Sequence, residues 1–458
     1  MRDNCGVVGI YAKEDCVSDI YLGIDFLQHR GQEYCGIATA SNNQIKLITH
    51  RGRVGARFTE LELNSLAGNF GIGHVSLRDR QPLWLETKLG GFAGCFSGNI
   101  INADELFEEF KKGGHSFSTN SYIELLLKVI GEEKDIVQGI TRMSQKIKGS
   151  FSLLLLNKEG IYAARDPYGF RPLILGTGKG SFIVASESRA IENLGMEIER
   201  DVKPGEIILI NGKGFKTLKQ LPSPRIAHCA FEWAYVASID SKIDDIYVKE
   251  ARNNLGEKLA ERDEKDGGIK ADCVSPVPMS GIGHALGYHN RSGIQYQEVF
   301  LYNRYADRSY TLATQEARDK MAKKKLSVIR EAVQGKRIIL CDDSIVRGTQ
   351  IRNKVRDLKK AGAKEVHVRV ACPPLMHPCL YGISTRTYEE LAARSYIKQG
   401  EIDSLEKLRM VEERVAEQVG ADSVKYNSLD DFVVAIGLPK NKLCLRCWDG
   451  VSPCADKK

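Results

Sequence analysis

Two aspartates followed by small and hydroxyl-bearing residues carry the clearest chemistry in this sequence. In Lys336-Arg-Ile-Ile-Leu-Cys-Asp-Asp-Ser-Ile-Val-Arg-Gly-Thr349, Asp342 and Asp343 come directly after the apolar run Ile338 to Cys341. That run reads as a short buried strand, which puts both carboxylates at its carboxyl end. Ser344 to Thr349 then offers hydroxyls and backbone N–H groups in a loop. Ile351, Val355 and Leu358 recur at helical spacing until Gly362 closes the helix. Glu365 to Cys372 reads as the next strand, so the unit is strand–loop–helix–strand. In open α/β sheets, ligands sit beyond the carboxyl ends of the strands. A phosphate there would meet the loop amides and the positive end of the helix. Paired acids beside it suit ribose hydroxyls or a Mg²⁺-bound pyrophosphate. The bland alternative is that the aspartates only end a strand and cap a helix. No Gly-Lys-Ser/Thr follows, so this is not a Walker loop.

Other segments must position that unit. Near Gln220-Leu-Pro-Ser-Pro224 the composition shifts, marking a linker. Beyond it, a helix is expected near Val248–Glu261, and Asp272 to Ile282 reads as a strand running into a Pro/Gly loop. Before it, strands are expected at Cys5–Tyr11, Gly36–Ala40, Ser150–Leu156, Gly160–Ala164, Ser181–Ala185 and Ile207–Ile210, with a helix over Ile20–Leu27. Many strands with two or three helices predict an α+β sandwich for this half.

The 458 residues suffice for two or three domains. A net charge of +7, from 66 basic against 59 acidic residues, is mild over this length. It fits an anionic small substrate and does not call for nucleic acid, since no arginine-rich or aromatic-interleaved patch stands out. No apolar run approaches a membrane span, and Met1-Arg-Asp-Asn-Cys5 lacks the apolar core of a signal peptide. Twelve cysteines without an export signal argue for reduced thiols, metal ligands or catalysis in a cytoplasmic protein.

The Asp-Asp-Ser-Ile-Val-Arg-Gly-Thr core resembles the phosphoribosyl pyrophosphate (PRPP) signature of type I phosphoribosyltransferases, in the version of the amidophosphoribosyltransferase family. By that resemblance Ser344, Ile345, Val346, Arg347, Gly348 and Thr349 hold the 5′-phosphate, and Asp342 and Asp343 orient ribose and Mg²⁺. Val277-Pro-Met-Ser-Gly281 resembles the family's pyrophosphate loop, with Met279 in place of an aspartate, and makes Ser280 a third ligand on the Mg²⁺ side. Asn303 to Arg330 resembles the flexible loop that closes over PRPP, which implies polyphosphate contacts for Arg304, Arg308 and Arg318. Tyr302, Asp307 and Ala313 depart from the usual lysine, glycine and proline there.

Residues 5–210 resemble a class II glutamine amidotransferase domain, an N-terminal-nucleophile fold of four layers. The matching pieces are Cys5-Gly-Val-Val-Gly-Ile, Leu27-Gln-His-Arg-Gly-Gln-Glu33, Gly73-His-Val75, Arg165-Asp-Pro-Tyr-Gly-Phe-Arg-Pro172, Ala185-Ser-Glu-Ser188 and Asp201-Val-Lys-Pro-Gly-Glu206. In that family a leader, here residues 1–4, is removed so that the cysteine becomes the first residue. A free α-amine, with a pKa of roughly 7.7–8, then serves as general base for the thiol beside it. Cys5 is the implied nucleophile, with Gly98 and Asn99 in the substrate pocket. Three positions depart from the pattern: Ser76 for an arginine that grips the glutamine carboxylate, Ser97 for an asparagine that serves the oxyanion, and Tyr122 for an aspartate that holds the α-amino group. Arg78 or Arg80 stands near enough in sequence to replace the carboxylate clamp.

Cys444-Leu-Arg-Cys447 alone is compatible with zinc or redox chemistry. His228-Cys229 and His377-Pro-Cys379 occupy the places where the iron–sulfur branch of the family keeps its other ligands. The resemblance therefore assigns Cys229, Cys379, Cys444 and Cys447 to a 4Fe–4S cluster, with a Cys₄ zinc site as the alternative.

The expected architecture is an amidotransferase-like domain over residues 5–220 and a type I phosphoribosyltransferase domain with a parallel sheet over 221–458, ending in the cluster-binding tail. The implied reaction joins nitrogen from glutamine or ammonia to PRPP, the first committed step of purine synthesis, in a dimer or tetramer. A paralogue fed otherwise than by glutamine, and a non-catalytic PRPP sensor, stay open.

Overall fold

Glycine spacing lets the N-terminal half stack tightly. The computed structural model describes residues 5–41, 44–178, 180–303, 326–382, 385, 387–397 and 400–454. Gly6–Tyr11 lies at the middle of a seven-stranded antiparallel sheet, in the spatial order Glu197–Asp201, Ile174–Gly178, Ser181–Ala185, Gly6–Tyr11, Phe70–Ser76, Tyr34–Ser41, Gln44–Arg51. A six-stranded antiparallel sheet runs Gly214–Gln220, Glu206–Asn211, Gly160–Arg165, Gly149–Asn157, Gly90–Ile100, Leu83–Thr87. Their inner faces meet through Val7, Ile72, Ala93, Leu154, Val184 and Ile208. Helix Val17–Phe26 covers the outer face of the first sheet. It can lie close because Gly73 has no side chain: a Cβ there would stand 2.6 Å from Ile24 Cγ2. Helices Ala103–Lys112, Tyr122–Gly131 and Ile136–Lys146 cover the second sheet. The outcome is helix–sheet–sheet–helix, the expected four layers.

Among the described residues, six α-helices lie between Val17 and Asn193, against the two or three expected. Glu60–Ser65 and Ser188–Asn193 are too short for a periodicity to register. The helix expected at Ile20 begins at Val17, after a Cys16 N-cap that carries no side-chain hydrogen bond and hence no sequence signal.

The C-terminal half is built on a four-stranded parallel sheet, Cys273–Pro276, Arg337–Asp342, Glu365–Val370, Ser423–Tyr426. Alternation along the second strand decides which helices cover which face. Ile338 and Leu340 pack with Ile351, Val355 and Leu358 of helix Thr349–Lys360 and with Val411 and Val415 of helix Leu405–Val419. Ile339 and Cys341 pack against Leu259 of helix Val248–Lys265 and Ala285 and Tyr288 of helix Ile282–Ser292. The third strand stops at Val370, two residues short of the expected Cys372. The next two N–H groups, of Ala371 and Cys372, donate to the carbonyls of Asp342 and Asp343 at 2.9 and 2.8 Å. The core of the first sheet continues through Trp233 and Phe231 to Trp448, so the halves share apolar packing. Among the described residues no helix is long and apolar enough to cross a membrane.

Candidate functional site

The strand ending at Asp342 delivers both carboxylates to the carboxyl edge of the parallel sheet, and both are buried. Ser280 reaches them from the loop after the first strand: its Oγ donates to Asp342 Oδ1 at 3.2 Å. The Asp343 N–H donates to the same oxygen at 3.0 Å, and Ser344 Oγ donates to Asp343 Oδ2 at 2.6 Å. Burial, then the charge of Asp343, push the Asp342 carboxyl up to about 7. Two dry carboxylates this close are more easily ionised beside a cation. Hard oxygens in this arrangement fit Mg²⁺.

The loop beyond them is pinned from below. Ile345 buries its side chain in the core, and the Val346 carbonyl accepts the Ala392 N–H at 2.7 Å. Gly348 caps the helix at φ +78°, a left-handed conformation that favours glycine, and Thr349 starts the helix exposed. Arg347 is exposed and paired with Glu390. In the loop that carries Ser280, Met279 is exposed and its peptide bond to Pro278 is cis. Arg304, Arg308 and Arg318 lie outside the described residues, as do the leader residues 1–4.

Cys5 is buried immediately before the central strand. Its carbonyl accepts Ser97 Oγ at 2.8 Å, and the Val7 N–H donates to Ser186 Oγ at 2.9 Å. Ser97 thus stands beside Cys5, with its hydroxyl proton given to the backbone. Gly98 lies against Ser150, and the Asn99 side-chain amide donates to the Leu380 carbonyl of the other half at 2.7 Å. Ser76 closes its own turn, donating to the Asp79 carbonyl at 2.7 Å. Gly31 packs on it so closely that a Cβ would stand 2.4 Å from Ser76 Cα. Arg78 lies over the ring of Tyr122, so two of the altered surroundings meet each other.

Cys229 and Cys444 are register partners in a two-residue parallel bridge, and the Met376 and His377 N–H groups both donate to the Cys447 carbonyl at 3.0 Å. Burial pushes the Cys229 thiol up to about 12, with the Cys379 charge adding to it. Hydrogen bonding with Cys379, then burial, pushes Cys447 well up. The four sulfurs are therefore mutual neighbours. Among the described residues, no three His, Cys, Asp or Glu side chains are gathered tightly enough for a single metal ion. Four neighbouring thiols have the donor chemistry of a 4Fe–4S cluster and, drawn together, of a Cys₄ zinc site.

Sequence reasoning missed a set of buried charges between the two halves: Arg30, Arg171, Glu187, Glu232 and Arg252. Arg30, Arg171 and Glu187 stand inside recognised motifs, and that was the available signal.

A family model described as a glutamine amidotransferase domain matches residues 72–193. The chain is 40% identical to the amidophosphoribosyltransferase of Methanothermobacter thermautotrophicus over 99% of this chain and 95% of the relative. It is 34% identical to that of Bacillus subtilis over 99% and 94%. A solved structure of the B. subtilis glutamine PRPP amidotransferase complexed with ADP and GMP superposes with a TM-score of 0.89 at 34% identity, covering 98% of this chain and 97% of that one. With a parallel sheet carrying the acidic loop and a four-layer amidotransferase fold carrying the cysteine, the chain belongs to the amidophosphoribosyltransferase family.

Proposed function

We propose that the protein transfers an amino group to C1 of PRPP, giving 5-phosphoribosylamine and pyrophosphate, and so performs the first committed step of de novo purine synthesis. The observation that carries this reading is the convergence of Ser280, Asp342 and Asp343 beneath a left-handed glycine loop at the sheet's carboxyl edge. Backbone N–H groups from Ser344 to Thr349 and the helix start would receive the 5′-phosphate. Mg²⁺ held by Ser280, Asp342 and Asp343 would neutralise the departing pyrophosphate. Arg304, Arg308 and Arg318 would close over it and exclude water.

Glutamine is the nitrogen source in this reading. Cys5 Sγ attacks the amide carbon, ammonia leaves as the thioester forms, and water releases glutamate. Ammonia then displaces pyrophosphate at C1. The α-amine of Cys5, once residues 1–4 are removed, would take the thiol proton. Gly98 and Asn99 would border the substrate pocket. The amidotransferase unit spans 5–220 and the phosphoribosyl unit 221–458. Cys229, Cys379, Cys444 and Cys447 would hold a 4Fe–4S cluster that ties the tail to the core. Twelve cysteines, none of them in a disulfide among the described residues, suit a cytoplasmic protein, and the family resemblance suggests a homo-oligomer, dimer or tetramer.

The test is PRPP consumption by the purified protein, anaerobically, with glutamine and with ammonia side by side. Replacing both Asp342 and Asp343 by Asn is expected to lower ammonia-dependent turnover by about a hundredfold or more. Unchanged turnover would remove the assignment. A second reading, an ammonia-fed transferase with an idle glutaminase half, is favoured by Ser76, Ser97 and Tyr122. Turnover with ammonia alone would select it, and turnover with neither donor would leave a PRPP sensor.

A further inference from the structure

The segment Cys229–Ser241 is gripped from both halves of the chain. At its centre, Glu232–Val236 is a π-helical turn, a rare geometry that concentrates at functional sites. From the N-terminal half, Arg30 Nη2 and Arg171 Nη1 hold the two Glu232 oxygens at 2.6 and 2.7 Å. From the same half, Glu187 Oε2 accepts the Ser238 N–H at 2.8 Å and Ser241 Oγ at 2.6 Å. Its other oxygen meets Arg30 Nε and His29 Nε2. From the C-terminal half, Arg252 on helix Val248–Lys265 donates Nε to the Trp233 carbonyl at 2.9 Å and Nη2 to the Ala237 carbonyl at 2.7 Å.

Both ends of this clasp lead to chemistry. Glu187 follows Ser186, whose hydroxyl fixes the Val7 N–H two residues from Cys5. Arg30 precedes Gly31, which packs on Ser76. At the other end, Gly283 packs on the Arg252 side chain, a Cβ there standing 2.8 Å from Arg252 Cβ, and it lies three residues after Ser280, which donates to Asp342. The charges of Asp343 and then Glu187 oppose the burial that lowers the Arg252 pKa, so Arg252 feels a carboxylate of each half. A cation and a polyanion arriving at Asp342 and Asp343 change the pull on Arg252. A shift of Arg252 drags the Trp233 and Ala237 carbonyls, and with them the Ser238 and Ser241 groups on Glu187.

We propose that Arg252 is a positioning residue that couples occupancy of the phosphoribosyl site to the reactivity of Cys5, through the turn Glu232–Val236 and the Glu187 carboxylate. The inference rests on the function proposed above and adds the residue through which its two half-reactions communicate.

The experiment alkylates the full-length, anaerobically purified protein with iodoacetamide and follows the Cys5 peptide by mass spectrometry, with and without Mg²⁺ and PRPP. In wild type the ligands are expected to change the Cys5 rate about fivefold or more. Arg252→Met should abolish that change while ammonia-dependent turnover stays within about threefold. Arg252→Lys keeps the charge without the two-carbonyl fork and should restore part of the response, which a merely structural loss would not. A wild type without response, or an Arg252→Met variant that keeps it, overturns the inference. Should Arg252→Met not fold, Ser241→Ala removes one hydrogen bond to Glu187 and no charge. It should at least halve the response, and an undiminished response overturns the inference too. Absent ammonia-dependent turnover in wild type would overturn the proposed function instead, since thiol reactivity is read without it.

Discussion

The guanidinium of Arg78 lies over the ring of Tyr122, its central carbon 4.4 Å from the ring centroid. Arg78 stands two residues after Ser76, in the turn that Ser76 closes, and Tyr122 opens the helix Tyr122–Gly131. A cation on an aromatic face is held in direction, and Arg78 Nε also stands 3.8 Å from Asp79 Oδ1. We propose that, in the glutamine reading, Arg78 takes over the clamp that Ser76 cannot provide.

Arg78→Ala should then raise KM for glutamine about tenfold, the worth of one charge-assisted hydrogen bond. Ammonia-dependent turnover should not change. Tyr122→Leu, which keeps the charge but removes the face that orients it, should have a smaller effect in the same direction. Steady-state kinetics with both donors separate these outcomes. An unaltered KM in Arg78→Ala would exclude it as the clamp.

Gly348 is the point where the loop proposed to hold the phosphate turns into its helix. At φ +78° an L side chain costs about 1–2 kcal/mol. The space itself is open, since the nearest atom to an added Cβ is Val419 Cγ1 at 3.5 Å. Gly348→Ala is thus expected to lower unfolding stability by about 1 kcal/mol and to raise KM for PRPP about tenfold, because the N–H groups after it are re-aimed. A variant with normal KM would show that the loop does not need this conformation to hold its ligand.

The cysteine set makes a compositional prediction. Anaerobically purified protein should contain about four irons and four sulfides per chain, and Cys444→Ala should lose them together. Inductively coupled plasma analysis and visible absorption check both. About one zinc per chain without sulfide would instead identify the Cys₄ alternative.

How far the sequence reaches is plain in this molecule. The strand–loop–helix unit around Asp342 was legible because an apolar run, two acids, a glycine and a helical repeat are contiguous, so local rules apply to all of it. The strand limits there moved by one or two residues. The clasp around Glu232 was not legible. Arg30 and Glu187 are 157 residues apart, and Arg30 and Glu232 are 202 apart. Charged residues carry no local sign that they will be buried, and these become tolerable only once partners from four elements arrive together. The stack of Arg78 on Tyr122 was hidden for the same reason, since each residue reads alone as an ordinary surface side chain.

Two histidines locked into the interior set a pH dependence of stability. His74 is buried on the central sheet, with Nε2 facing the Phe96 carbonyl at 3.2 Å, and burial pulls its pKa down to about 3. For His284, burial and then the positive charge of Arg252 pull it down to about 4. Both stay neutral in the folded protein, while in the unfolded chain each takes up a proton below about 6.5. The unfolded state therefore binds more protons in the window from about 6.5 down to the folded values, and stability falls as pH falls through it. At pH 5 each histidine costs about 2 kcal/mol relative to pH 7. Burial pushes Asp166 up to about 6, and this runs the other way, destabilising as pH rises. The wild-type profile thus mixes signs, and a difference isolates one group. His74→Gln, which has no proton to gain, should move relative to wild type by about 2 kcal/mol in its favour between pH 7 and pH 5, read from urea unfolding at both values. An unchanged difference would mean that His74 is protonated in the folded state and that its site admits water.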